Sequence, residues 1–300
     1  MQMEDSCYSQ IEQKHEKHIV IPDLHGESQL LEQVIDKYHD DETGFVFLGD
    51  VIDQKGVADK HNNSNLTISH IRDLGEIAIM TMANHEFVMQ GSFFAKDQEI
   101  QDQYTEYWSM ISENSFEAYD LHPEIRNDHE AMGILKLTME ELGHLAVLRS
   151  TTMYYETDLF IATHAGLDPK APWELQRESL DILAAELRED SFPYYGGDKP
   201  LPSQIFSIHN AMGTAKVKGT DKITLSGHAH YLTPSSKRFV RLDTPTSPER
   251  ILHDGKRVRL ASQVNHPASH DLHIWKDWDQ EIDIIPNPSR IQREPQIKTA

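Results

Sequence analysis

Apolar residues fall along this chain in short unbroken runs, and five of the runs stop at a polar motif. Ile19-Val20-Ile21 leads into Asp23-Leu24-His25-Gly26. Phe45-Val46-Phe47-Leu48 leads into Gly49-Asp50, with Asp53 three residues further on. Ile77-Ala78-Ile79-Met80 leads into Asn84-His85-Glu86, and Leu159-Phe160-Ile161-Ala162 into His164-Ala165-Gly166. Ile223-Thr224-Leu225 leads into Gly227-His228-Ala229-His230. Short apolar runs bounded by turn residues read as buried strands. Ligands of open α/β sheets gather outside the C-terminal strand ends. One such ending alone would be an ordinary loop acid or surface histidine. Five in succession predict a single site assembled from five strand ends.

Between the runs the period becomes helical. Residues 27–38 place Leu30, Leu31, Val34, Ile35 and Tyr38 on one face. Strand, loop, helix and strand make a βαβ opening, so the first two strands are expected to be parallel. Gly26 lets the backbone turn tightly beside the site. A short helix with Leu66, Ile71 and Leu74 inward is expected before the third strand. Residues 87–152 carry Tyr104, Trp108 and Ile111, then Met132, Leu135, Met139, Leu142 and Leu145, at helical spacing. They predict a helical insertion over one side of the site, its Trp and Tyr side chains serving as core. Residues 153–163 form a strand pair or one long strand. Residues 173–189 are amphipathic, with Leu175, Leu180, Leu183 and Leu187, and a Gly/Pro loop follows over 193–202. The texture then turns to β. Residues 251–253 and 257–260 flank Asp254-Gly255, a hairpin signal, and 271–275 read as a last strand.

The whole reads as an α/β chain without an internal repeat or dividing linker. Residues 1–17 are a flexible lead, 18–285 one domain with the insertion at 87–152, and 286–300 a polar, disordered tail. Three hundred residues suffice for a sizeable core. The net charge of −21 argues against gripping nucleic acid, which relies on Lys and Arg against phosphate. The one cysteine, Cys7, excludes an intramolecular disulfide and a thiolate cluster. No apolar leader and no run long enough to span a bilayer is visible, so a cytoplasmic location is the expectation. Of eighteen histidines, five lie in the strand-end motifs. The other thirteen, such as His15, His39, His61, His122 and His270, read as solvated.

The strand ends supply Asp23, His25, Asp50, Asn84, His164, His228 and His230. These are oxygen and imidazole donors, a mixture suited to Mn²⁺, Fe²⁺ or Zn²⁺. They are too many for one ion with an open position and enough for two, with Asp50 bridging. Asp23 and His25, and likewise His228 and His230, are two apart and share a face in extended backbone. Two ions about 3.5–4 Å apart can clamp a phosphoryl group and hold an attacking hydroxide between them. His85 is left to protonate the leaving oxygen. Asp53 would hold its imidazole and favour the protonated form.

These residues together resemble the calcineurin-like metallophosphoesterases, in particular the phosphoprotein-phosphatase branch with its bacterial and phage members and symmetrical diadenosine tetraphosphatases. That family's blocks match at Asp23 to Gly26, Gly49 to Gly56, Asn84 to Glu86, His164 to Gly166 and Gly227-His228, in order, over roughly residues 18–230. The resemblance implies a four-layer α/β/β/α sandwich with a dinuclear metal site. It implies Asp23, His25 and Asp50 on one ion, and Asp50, Asn84, His164 and His228 on the other. It also implies His85 with Asp53 as the acid pair and two divalent ions, Mn²⁺ foremost, with Fe, Zn or Mg as alternatives. The implied activity is hydrolysis of phosphomonoesters, of phosphoproteins (Ser/Thr or Tyr) before small phosphoesters. The alternative is a dinucleoside polyphosphate or nucleotide hydrolase. A scaffold without activity ranks last, because every metal position and His85 are intact. The chain also departs from the pattern. The second block reads Asp53-Gln54-Lys55-Gly56, without the arginine that clamps substrate phosphate. Lys55 is the substitute, as a point charge rather than a bidentate fork. Arg188, ahead of Phe192, is the candidate for the second phosphate-binding arginine. Ala83 stands where the family has Gly. His230 matches a ligand of the wider superfamily, where the second His of Gly-His-x-His reaches the first metal.

Overall fold

The computed structural model describes residues 15–53, 63–110, 112–122, 129–194, 217–227, 251–253, 257–260 and 272–286. Lys55, Ile111, His228, His230 and the Asp254-Gly255 turn lie outside the described residues, as do 1–14, 195–202 and 287–300.

The first half runs β1 (Lys17–Ile21), α1 (Ser28–Tyr38), β2 (Thr43–Phe47), α2 (Ser64–Leu74) and β3 (Ala78–Met80). Five helices follow: α3 (Asn84–Phe94), α4 (Gln98–Ser109), α5 (Glu113–Ala118), α6 (His129–Glu141) and α7 (His144–Arg149). The chain continues through β4 (Tyr155–Glu156), β5 (Phe160–Ala162), α8 (Trp173–Arg188) and β6 (Ile223–Ser226). It closes with β7 (Ile251–His253), β8 (Arg257–Leu260), β9 (Leu272–Lys276) and β10 (Glu281–Ile285).

The strands form two mixed sheets, in the orders β10-β9-β1-β2-β3 and β4-β5-β6-β8-β7. β1, β2 and β3 are parallel, as are β5, β6 and β8. Four of the five predicted apolar runs are interior strands of their sheets and the fifth, β3, is a parallel edge strand; with both faces of the sheet covered, the runs do not alternate with polar residues. Ile19, Ile21, Phe45 and Phe47 pack into the larger cluster with α1, α2 and α3. Val20, Val46, Leu48, Ile79 and Trp275 point the other way and meet Tyr155, Phe160, Ala162, Ile223 and Leu225 of the second sheet. Each such side chain contributes about 1.5–3 kcal/mol of burial.

Helix starts follow local chemistry. The Asn63 side chain caps α2 by accepting from Leu66 N at 2.9 Å, and Asp97 caps α4 by accepting from Ile100 N at 3.1 Å. Gly91 allows α3 and α4 to touch, since a Cβ there would lie 2.5 Å from the Tyr104 ring. The insertion rejoins the sheet where Met82 N donates to Thr152 O and Thr152 N to Met80 O.

Four local expectations are corrected. His18 and His144 are buried rather than solvated. His18 bonds Asp277 and Tyr155, and His144 bonds Ser69 and Tyr119, so both rings are satisfied without water. In α2 it is Ile68 that turns inward with Ile71, while Leu66 stays partly exposed. In α8, Trp173 takes the first inward position and Leu175 is exposed. β10 was not foreseen; it is an edge strand with polar residues in a five-residue run.

Candidate metal centre

The backbone ladder of β1 and β2 continues past the strands and shapes the site. Leu24 N and His25 N both donate to Asp50 O, at 3.0 and 2.8 Å, and Gly26 N donates to Val51 O at 2.9 Å. His25, Asp50 and Asp53 all have left-handed backbones, with φ of +46°, +48° and +59°. Side chains other than Gly adopt that region rarely, and His and Asp do so more readily than most. Such strain persists where surrounding bonds hold it. For Asp50 the holder is Glu86. Its carboxylate, fully buried, accepts from Asp50 N at 2.9 Å and Val51 N at 2.8 Å.

Asp23, His25, Asp50, Asp53, Asn84, His85 and His164 converge here, and all but Asn84 are buried. Two groups of ligand atoms each fall within 4.8 Å of one another: His25, Asp50 and His85, and Asp23, Asp50 and His164. Asp50 belongs to both. His164 Nε2 lies 3.5 Å from Asp50 Oδ2 and 3.0 Å from Asn84 Oδ1, and its Nδ1 lies 3.8 Å from Asp23 Oδ1. His25 Nε2 is 3.7 Å from Asp50 Oδ2. The other ring nitrogens are oriented by main-chain carbonyls, His164 Nδ1 by Leu48 O at 2.8 Å and His25 Nδ1 by Ile52 O at 3.2 Å. Such bonds fix tautomer and ring direction in metal-ligating histidines.

Burial pushes the Asp50 carboxyl well above the usual range, with the His85 charge opposing and Asp23 and Glu86 adding to the rise. Two buried carboxylates sharing a site call for cations. Burial alone would lower the His85 pKa, but Asp50 and Asp53 override it and raise it to about 9. His85 Nδ1 bonds Asp53 Oδ2 at 2.8 Å, which leaves Nε2 for other partners.

The helices around the site bring groups that the sequence did not single out. Trp108 Nε1 donates to Asp53 Oδ2 at 2.9 Å, and Ser115 Oγ to Asp53 Oδ1. Asp53 N donates to the hydroxyls of Ser64 and Ser115. Among the described residues the fifth strand end stops at Gly227, where a Cβ would lie 2.4 Å from Asp23 Oδ1. Arg188 is not among the gathered groups. It ends α8, exposed, two residues before Asp190, whose carbonyl accepts from Lys96 N just past the far end of α3. That end of an eleven-residue helix is roughly 16 Å from Asn84.

Among the described residues no helix is long and apolar enough to cross a membrane. No protein-family model and no curated protein matches the chain. Solved structures do. A single-substitution variant of a cold-active protein tyrosine phosphatase is 16% identical, with a TM-score of 0.53, covering 92% of this chain and 83% of its own. A protein described as a diadenosine tetraphosphatase is 12% identical, with a TM-score of 0.48, covering 94% and 98%. A protein serine/threonine phosphatase from Saccharomyces cerevisiae is 13% identical, with a TM-score of 0.44, covering 89% and 78%. The first of these shows a shared fold. What this chain shares with it is the mixed α/β architecture of sheets and flanking helices.

Proposed function

We propose that this chain is a metal-dependent phosphatase that hydrolyses phosphomonoesters, with phosphoproteins as the first substrate class. The observation that carries the reading is the pair of donor clusters meeting at Asp50, with His85 held by Asp53 at their edge. In this reading the two sheets and their flanking helices are the four-layer α/β/β/α sandwich. The donor set fits divalent cations: buried carboxylates, histidines already oriented from behind, and no thiol. Asp23, His25 and Asp50 would hold one ion, and Asp50, Asn84, His164 and His228 the second, with His230 as a further ligand and Mn²⁺ the preferred metal. Such ions supply charge neutralisation of the phosphoryl oxygens and an acidified water.

The side chains do the remaining work. His85 gives its proton to the departing oxygen as the P–O bond breaks, so the leaving group exits as an alcohol. Asp53 orients that imidazole, and the Asp50 and Asp53 carboxylates together favour its protonated form. Glu86 holds the Asp50 backbone, and so aims the carboxylate shared by both clusters. Lys55 is the proposed substrate cation, tested by its alanine variant; Arg188, expected from the sequence to share that role, lies with the far end of α3 and is not assigned it.

A second reading, a dinucleoside polyphosphate or nucleotide hydrolase, is favoured by the absence of arginine in Asp53-Gln54-Lys55-Gly56. Purified protein with Mn²⁺ should hydrolyse 4-nitrophenyl phosphate, and Asp50→Asn and His85→Asn should lower kcat at least about 100-fold with the fold intact. Wild-type rates in both variants would refute the proposal. Phosphopeptides and diadenosine tetraphosphate assayed side by side decide between the two substrate classes.

A further inference from the structure

We propose that Trp108 and Ser115 of the helical insertion are positioning residues for the Asp53–His85 pair, an inference that rests on the function proposed above. The ligand clusters are built from strand ends and the loops that follow them. The insertion enters this machinery through α4 and α5, at Asp53. Oδ2 of Asp53 accepts from His85 Nδ1 at 2.8 Å and from Trp108 Nε1 at 2.9 Å. Oδ1 accepts from the Ser115 hydroxyl, which in turn accepts from Asp53 N at 3.2 Å. Ser64 Oγ also accepts from Asp53 N, at 3.1 Å, and lies 3.4 Å from Ser115 Oγ. The carboxylate is thus held in rotation by three groups from three elements, with its main chain in the left-handed region.

A buried indole N–H and a buried hydroxyl need acceptors anywhere in a protein. Here both choose the carboxylate that orients His85, and the indole shares the same oxygen as the imidazole. The indole is itself fixed, with Phe93 and Phe116 at ring separations of 5.5 and 5.8 Å. Without the Trp108 donor the carboxylate keeps only Ser115 and His85 as restraints on rotation about its Cβ–Cγ bond, and the aim of the imidazole toward the leaving oxygen loosens. A misplacement of about 1 Å costs on the order of 100-fold in a well-oriented reaction. The loss falls on proton delivery alone, so it depends on the leaving group.

The test compares Trp108→Phe and Ser115→Ala with the wild type in Mn²⁺, on an alkyl phosphate and on 2,4-dinitrophenyl phosphate, whose phenolate leaves without a proton. The expected result is a fall in kcat of about tenfold or more on the alkyl ester with KM unchanged, and less than about twofold on the dinitrophenyl ester. In an Asp53→Asn background, Trp108→Phe should have no further effect. The ¹⁵N–¹H signal of His85 Nδ1–H provides a readout independent of turnover. It should exchange faster with solvent in both variants, while circular dichroism stays that of wild type. Equal losses on the two esters, or an unchanged His85 signal, overturn the proposal. A changed signal in a protein that hydrolyses no phosphoester upholds the positioning role and refutes the phosphatase reading instead. Ser115→Ala removes only one oxygen, so it keeps the test decisive if the larger substitution fails to fold.

Discussion

Gly227→Ala separates the stability of the fold from the function of the site. A Cβ at Gly227 would lie 2.4 Å from Asp23 Oδ1, 3.4 Å from Asp23 Cγ and 3.7 Å from Leu48 Cβ. The last two are ordinary contacts. The first is about 1 Å too close for non-bonded heavy atoms. The backbone of Gly227 does not occupy the left-handed region, so alanine adds no conformational strain there. The clash is with the far end of a side chain, and one rotation of the Asp23 carboxylate relieves it. The cost in stability is therefore small, about 1 kcal/mol, at the low end for an overpacked interior. The cost to the site is larger. Asp23 Oδ1 belongs to the cluster with Asp50 and His164, and a shift of about 1 Å takes a ligand oxygen out of coordinating range. Mn²⁺ affinity should weaken at least about tenfold and kcat fall about 100-fold. Calorimetric titration with Mn²⁺ and urea unfolding of the metal-free protein measure the two quantities. Wild-type Mn²⁺ affinity in Gly227→Ala would sink the argument that Asp23 is a ligand pressed against this glycine. A large loss of stability with unaltered metal binding would sink it equally.

Two other perturbations follow from the same bonds. Glu86→Gln keeps the shape of a buried carboxylate but leaves one of the Asp50 and Val51 N–H groups facing an amide donor. Urea unfolding should show a loss of about 2 kcal/mol, and an unchanged midpoint would contradict the role given to Glu86. His144 is held neutral, burial first and Arg72 second, which brings its pKa from the ordinary 6.5 to about 4. The unfolded chain takes up a proton between those values and the folded chain does not, so stability falls as pH drops from 6.5 toward 4. The fall attributable to this ring is at most about 3 kcal/mol, and His144→Asn should flatten that part of the profile. Identical slopes for both proteins from pH 7 to 5 would exclude it.

Parallel strands made the first half of the fold legible. Their runs are apolar on both faces, and each ends at the residues that form the site. The donors were legible for the same reason, since Asp23, Asp50, Asn84 and His164 directly follow the strands that place them. What escaped were partners distant in sequence. Trp108 reads as core from its helical spacing, and it is core: fully buried among Phe93 and Phe116. Nothing in its neighbourhood marks the acceptor, which lies 55 residues earlier. His18 sits in a polar stretch and reads as solvated, but its satisfying carboxylate, Asp277, is 259 residues away. β10 escaped because an edge strand faces solvent, and polar residues break the periodic signal. The left-handed turns at His25, Asp50 and Asp53 left a trace only in the adjoining Gly26 and Gly49.

The site has a further dependence that no single motif reveals. Asp23, Asp50 and Asn84 come from the first sheet, whereas His164 comes from β5 of the second. The separations of 3.5 Å and 3.8 Å from His164 to Asp50 and Asp23 are therefore distances between sheets. Among the described residues His164 makes two polar contacts across them at the site, Nδ1 to Leu48 O at 2.8 Å and Nε2 to Asn84 Oδ1 at 3.0 Å. The rest of the register is set by apolar packing: Val20, Val46, Ile79 and Trp275 against Phe160, Ala162, Ile223 and Leu225. Trp275 and Phe160 meet edge to face with ring centres 5.4 Å apart. Packed interiors resist changes of even one methylene. The inter-sheet core thus sets the spacing between donors carried on two different sheets, which the loops bearing them do not fix on their own. The apolar runs and the polar residues that end them are in this sense one device: the first sets the distance at which the second can share a cation.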